Sequence, residues 1–190
     1  MSKLNIIYDA RRHEKYHPLM NELERQGIDE FEIWPCIMYD DIVSSINASH
    51  KMIVRDAKEK GLEEVFIAED DLYFPASDGW EYFLKNKPKP TDYDIYLAAT
   101  YIPTDPPKHI CGFHLYCISN RYYDTFLAAP NNEHIDTAID NIGGDFVFCY
   151  PFPGLQRPGF SANNSMGTGQ VVNYNGVFRN RPQDIYGSIE

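Results

Sequence analysis

Short apolar runs alternate with helix-patterned segments through most of the chain, and this alternation restricts the fold more than any other feature. Leu4-Asn5-Ile6-Ile7-Tyr8, Phe31-Glu32-Ile33-Trp34 and Val65-Phe66-Ile67-Ala68 each have strand length and composition. A helix is expected over 17–26: Pro18 suits its first turn, Leu19 and Leu23 share a face, and Gly27 follows its end. A second, over 44–60, aligns Ile46, Ile53 and Ala57 with Ile42, places His50 on that apolar face, and is followed by Gly61 as its cap residue. After Asp78 a short helix carries Trp80, Phe83 and Leu84. Residues 94–101 and 113–118 read as strands, with Ser119 as the N-cap of a helix bearing Tyr122, Tyr123, Phe126 and Leu127. A helix over 135–142 stops at Gly143-Gly144, and 145–152 reads as a last strand. Beyond Pro153 the chain is rich in Gly, Asn and Pro and reads as a loop-like closing segment. Strands alternating with helices predict a single-domain, three-layer α/β sandwich around a mainly parallel sheet.

A chain of 190 residues is long enough for one sizeable core and short for two. No run approaches the roughly 20 apolar residues of a membrane span. Met1-Ser2-Lys3-Leu4 lacks the apolar core of a signal peptide, so a cytoplasmic protein is expected. Cys36, Cys111, Cys117 and Cys149 form no CxxC pair and read as free thiols among apolar neighbours. The net charge of −11 argues against nucleic acid as a partner, because phosphate contacts need a basic face. It also repels any other anionic ligand unless a cation intervenes, and a bound divalent metal meets that need.

The run Val65-Phe66-Ile67-Ala68 leads straight into Glu69-Asp70-Asp71, which Leu72-Tyr73-Phe74 follows. Three charges inside an apolar stretch are costly unless something compensates them. On an extended chain Glu69 and Asp71 point together and Asp70 points away. Two carboxylates converging at the carboxyl end of a buried strand suit Mg²⁺ or Mn²⁺, at the end of the sheet where α/β proteins bind ligands. The bland alternative is a solvated acidic turn.

Several motifs recur in one order: Ser49-His50 on a helix, a strand ending in Glu69-Asp70-Asp71, Leu115-Tyr116-Cys117-Ile118-Ser119, Ile135-Asp136, and Gln156 followed by Ser161. Together they resemble the bacterial lipopolysaccharide glycosyltransferases of family 25. Tyr8-Asp9-Ala10-Arg11-Arg12 is a looser echo of that family's first strand and Asp-Arg turn. The similarity spans residues 4–165, and the loop after the acids is shorter than the family's.

The resemblance implies a GT-A nucleotide-sugar-binding fold with residues 1–165 as the catalytic domain, while composition makes 166–190 a loop-like tail expected to be partly disordered. The resemblance further implies inverting transfer from a nucleotide sugar, a UDP-sugar first among the candidates, to a glycan or lipid-linked glycan acceptor. A lipid-linked acceptor would bring the protein transiently to the inner membrane surface. On this reading Asp71 ligates Mn²⁺ or Mg²⁺, while Glu69 binds it through water or holds the donor ribose, with Asp70 beside them. Asp136 is the candidate base, His134 a weaker one; Asp136 reads equally well as a cap of the helix that follows. His50 either shapes the donor pocket or is a hydrogen-bonded core histidine. Arg11 and Arg12 either meet the nucleotide or are surface charges on a turn. Gln156 and Ser161 are candidates for sugar hydroxyls. Other metal-dependent nucleotide enzymes often carry a Gly-rich phosphate loop, and no GxxxxGK[ST] pattern occurs. A binding module without turnover, and a purely structural protein, are the other classes open to the sequence.

Overall fold

The computed structural model describes residues 3–100 and 108–157. Its strands are β1 (Leu4–Tyr8), β2 (Phe31–Pro35), β3 (Glu64–Glu69), β4 (Leu72–Tyr73), β5 (Ile95–Leu97), β6 (Leu115–Ser119), β7 (Phe146–Phe148) and β8 (Leu155–Gln156). The α-helices are α1 (Tyr16–Arg25), α2 (Ile42–Glu59), α3 (Gly79–Lys85), α4 (Tyr123–Ala128) and α5 (Ile135–Ile142). The helix over 135–142 falls where the sequence puts it. The strand expected over 94–101 is shorter, Ile95–Leu97, and so is the last strand, Phe146–Phe148.

Six strands form one sheet in the order β2-β1-β3-β6-β5-β7. β1 runs parallel to β2 and β3, and β5 parallel to β7, while β6 is antiparallel to both β3 and β5. Five strands therefore share one direction and β6 opposes them, which makes the fold a mixed α/β sandwich with a mainly parallel sheet.

Alternation along each strand fills two cores. Ile7, Val65, Ile67, Ile95, Leu97, Tyr116 and Ile118 face α2, α4 and α5, where Ile53, Val54, Phe126 and Ile139 pack on them. Leu4, Ile6, Phe66, Ala68, Tyr96, Leu115 and Cys117 face α1 and α3, where Leu19, Leu23, Trp80 and Phe83 close the other side. Each Val, Leu, Ile or Phe among them, taken from water, contributes roughly 1.5–3 kcal/mol, and period-2 patterning lets one strand serve both layers.

Helix ends follow local chemistry. α1 and α2 both close in Schellman turns: Gly27 and Gly61 take φ of 64° and 65°, a left-handed conformation that glycine adopts without a Cβ clash. Ile28 N–H then donates to Leu23 C=O at 2.9 Å, and Leu62 N–H to Ala57 C=O at 3.0 Å. Ser119 corrects the sequence reading. It precedes a 3-10 turn over Asn120–Tyr122, but its hydroxyl donates to Pro90 C=O at 2.7 Å and caps nothing. The segment after Pro153 is also corrected: Leu155 and Gln156 form β8, an antiparallel ribbon with β4. Two residues per strand leave no periodicity in the sequence to read. Among the described residues no helix is long and apolar enough to cross a membrane. All four cysteines are free; Cys117 and Cys149 are buried, Cys36 and Cys111 half-buried.

Candidate active site at the carboxyl ends of β1 and β3

From β1 the chain leaves through α1 to β2 on one side; from β3 it leaves through α3 to β5 on the other. α1 and α2 lie on opposite faces of the sheet. The carboxyl ends of β1 and β3 therefore flank a switch point, the position at which open α/β sheets form a ligand crevice. The register pairs Ile7 with Glu69, so the residues that follow each strand meet there.

They meet through the acids. Asp9 N–H donates to Asp70 Oδ2 at 3.1 Å. The Lys15 ammonium donates to Asp70 Oδ1 at 2.9 Å and to Asp71 Oδ2 at 2.6 Å. Gln156 Nε2 donates to the same Asp71 oxygen at 3.0 Å, and Arg157 N–H to Asp71 C=O at 2.6 Å. The β4–β8 ribbon makes this possible by placing Gln156 opposite Leu72. Gly154 lets the ribbon lie flat on the sheet, since a Cβ there would come within 3.0 Å of the Leu115 side chain.

The expected pairing of Glu69 with Asp71 is not what forms. β3 ends at Glu69 and the chain turns, so strict alternation stops before Asp70. Asp70 and Asp71 converge instead, and Glu69 points to His50, whose Nε2 lies 3.4 Å from Glu69 Oε1. On its other side His50 Nδ1 lies 2.9 Å from the Tyr116 hydroxyl. Burial, then the Glu69 charge, push the Tyr116 hydroxyl up, so it stays protonated and donates to Nδ1, leaving Nε2–H to face Glu69. His50 is thus the hydrogen-bonded histidine of the helix–sheet interface and also the group that holds Glu69.

Electrostatics separate the carboxylates. Burial raises Asp70, and the neighbouring charge of Asp71 adds to this against the pull of Lys15. Burial also opposes ionisation of Glu69, but the His50 hydrogen bond, helped by the Lys15 charge, holds it below the usual range. Burial pushes His114 down and keeps its ring neutral at pH 7, although Glu69, Asp71 and Asp136 all act the other way. Asp136 therefore lies near enough for its charge to act on the same ring as Glu69 and Asp71. Asp136 Oδ2 accepts Gly112 N–H at 2.7 Å and Oδ1 accepts Thr137 N–H at 2.8 Å, pinning the 108–113 segment to the start of α5. His134 precedes that helix without a side-chain cap bond.

The remaining candidates divide. Arg11 pairs with Asp9 at 2.6 Å at the mouth of the crevice, with most of its side chain exposed. Arg12 is half-buried beside it. Ser161 lies outside the described residues, as does the 166–190 tail. Sequence reasoning missed Lys15, His114 and Tyr116 as parts of this cluster. Tyr116 was visible as a strand residue and His114 as its neighbour; Lys15 had no local signal, because only the β1–β3 pairing brings residues 9–15 to the acids.

Among the described residues no group of three or more His, Cys, Asp or Glu side chains is arranged to hold a metal ion. Mg²⁺ is commonly held by one or two carboxylates with waters and substrate phosphates completing the shell. Asp70 and Asp71 fit that sparser pattern. Asp71 Oδ1 is buried and has no hydrogen-bond partner, an orphaned acceptor of the kind a cation satisfies.

No family model matches the chain, and no curated protein matches it. Solved structures do. A197 from STIV superposes with a TM-score of 0.51 at 13% identity, covering 86% of this chain and 97% of that one, and shares its fold. A glycosyltransferase involved in glycosylation of the major capsid of PBCV-1 aligns with a TM-score of 0.45 at 13% identity, over 77% of this chain and 81% of that one. A Drosophila β1,4-galactosyltransferase 7 mutant, in complex with manganese, UDP-Gal and xylobiose, aligns with a TM-score of 0.47 at 13% identity, over 94% and 71%.

Proposed function

We propose that the chain is a glycosyltransferase of lipopolysaccharide biosynthesis. On this reading it moves a sugar, with inversion, from a nucleotide-sugar donor to a hydroxyl of a glycan or lipid-linked glycan. UDP-sugars are the first donors to test. The observation that carries the reading is the convergence of Asp70, Asp71 and Gln156 at the β1/β3 switch point, because this is where a nucleotide's phosphates would reach a cation on an otherwise acidic protein. The family-25 resemblance, which shares these acids and Gln156, supports it through the order of its other motifs.

Asp71 would hold a divalent cation, Mn²⁺ or Mg²⁺, through its bare Oδ1, with Asp70 as the second carboxylate. When bound, such an ion neutralises charge developing on the departing nucleoside diphosphate. Glu69 is held ionised beside His50, ready to accept a ribose hydroxyl or a water on the metal. Gln156 keeps Asp71 oriented and has an amide oxygen left for a sugar hydroxyl. Arg11 and Arg12 stand at the crevice mouth for the base or diphosphate. Asp136 is the base: each oxygen has accepted one amide and retains a lone pair for the acceptor proton. The catalytic domain is assigned to 1–165, Ser161 included, and the tail to 166–190. Work in the cytoplasm, with visits to the inner membrane surface, follows if the acceptor is lipid-linked.

That both Asp136 oxygens are already engaged by backbone amides favours a second reading, a module that binds nucleotide sugar without turning it over. Release of nucleoside diphosphate decides between them. With UDP- or GDP-sugars, Mn²⁺ and a glycan acceptor panel, the transferase releases UDP or GDP, and Asp71→Asn abolishes the release. Donor binding with metal but no release on any acceptor contradicts the transferase and leaves the module.

A further inference from the structure

Lys15 ends the short 3-10 turn His13–Lys15, and its side chain is 13% exposed where it bridges Asp70 and Asp71. These are the two carboxylates that the proposed function gives to a divalent cation. An ammonium hydrogen-bonded at 2.6 Å and 2.9 Å and a metal ion within coordination distance of the same carboxylates cannot coexist without strong repulsion. Lys15 alone also leaves the site short of positive charge. Two carboxylates against one ammonium make a net single negative charge, on a chain already at −11, facing a diphosphate. A divalent cation turns that into a single positive charge, and Asp71 Oδ1 stands bare to receive it.

We infer that Lys15 is a resident counter-cation: it occupies Asp70 and Asp71 while the site is empty, a divalent ion displaces it, and the freed ammonium then binds the donor's diphosphate. The last step rests on the nucleotide-sugar reading above; the competition for the carboxylates does not. A lysine suits this exchange because its charge is compact and its four-carbon stem swings without backbone movement. Its consequence is that wild-type protein binds metal weakly by itself, and metal and nucleotide strengthen each other.

The test measures Mn²⁺ binding by the fall in the free-ion electron paramagnetic resonance signal, without nucleotide, for wild type, Lys15→Met, Lys15→Arg and Asp71→Asn. Melting curves confirm that each is folded. Lys15→Met is expected to bind Mn²⁺ at least tenfold more tightly than wild type, Lys15→Arg to stay weak, and Asp71→Asn to lose the ion. UDP and GDP are then titrated calorimetrically at saturating Mn²⁺, where Lys15→Met is expected to bind at least tenfold more weakly than wild type. Unchanged or weaker Mn²⁺ binding in Lys15→Met overturns the competition. Wild-type nucleotide binding that is equally strong in EDTA, and is lost in Lys15→Met with or without Mn²⁺, overturns the displacement and makes Lys15 the permanent cation. Tighter Mn²⁺ in Lys15→Met with no nucleotide bound by either protein overturns the donor reading and the phosphate step, while the competition stands.

Discussion

Asp136 has a place in the fold, and the proposed function would give it a place in the chemistry as well. Its carboxylate secures the Gly112 and Thr137 amides, and its charge acts on the buried His114 ring. Asp136→Asn keeps one acceptor and turns an NH₂ toward a backbone donor, a loss of about 1 kcal/mol. For a domain of this size that is a melting point lower by roughly 2–4 °C. If Asp136 also takes the acceptor's proton, kcat falls by about 10²–10⁴-fold while the donor KM stays near wild type. Steady-state kinetics and thermal melts of the same preparation separate the roles. A lowered melting point with wild-type kcat would leave Asp136 as an anchor only. The acids themselves were legible as a cluster in the sequence, and so was Gln156. Which acids pair was not, because that depends on where β3 stops; the period-2 rule fails one residue before it is needed.

At the scale of elements, α2 contributes His50 to the site and closes one face of the sheet. Its N-terminus is fixed by Asp41, whose carboxylate accepts Ser44 N–H at 2.7 Å. Hydrogen bonds from the Ser44 side chain and amide hold Asp41 below the usual carboxylate range. A lowered folded-state value means the cap stabilises fully above the unfolded value of about 3.9 and is lost as pH falls through the folded one. Asp41→Ala is therefore expected to melt below wild type at pH 7, with the difference shrinking as the pH falls below the unfolded value of about 3.9. A gap that stays constant with pH would mean the side chain acts other than as an ionised cap. A long periodic element such as α2 was readable because many residues repeat one pattern, and the short α5 because Gly143-Gly144 marks its end. The β4–β8 ribbon and the reversed direction of β6 were not, since pairing partners and strand direction are tertiary facts that no local pattern encodes. Lys15 was hidden for the same reason: it meets Asp71 only after β1 and β3 are side by side.

Over the whole molecule, two facts underlie the proposed function. The sheet order puts a switch point between β1 and β3, and the chain's charge of −11 is hostile to the phosphates that such a crevice would receive. Lys15 softens that hostility without removing it, which is why the account needs a divalent cation at Asp70 and Asp71. A mainly parallel α/β sandwich serves many chemistries, so the fold alone does not decide among them. The deciding measurement is calorimetric titration of UDP and GDP into the wild-type protein, once with Mn²⁺ and once with EDTA, repeated with Asp71→Asn. Binding of one nucleotide is expected in Mn²⁺ only, and none in Asp71→Asn. Binding that is indifferent to EDTA, or to the loss of the Asp71 carboxylate, would contradict a metal-assisted nucleotide site at these acids.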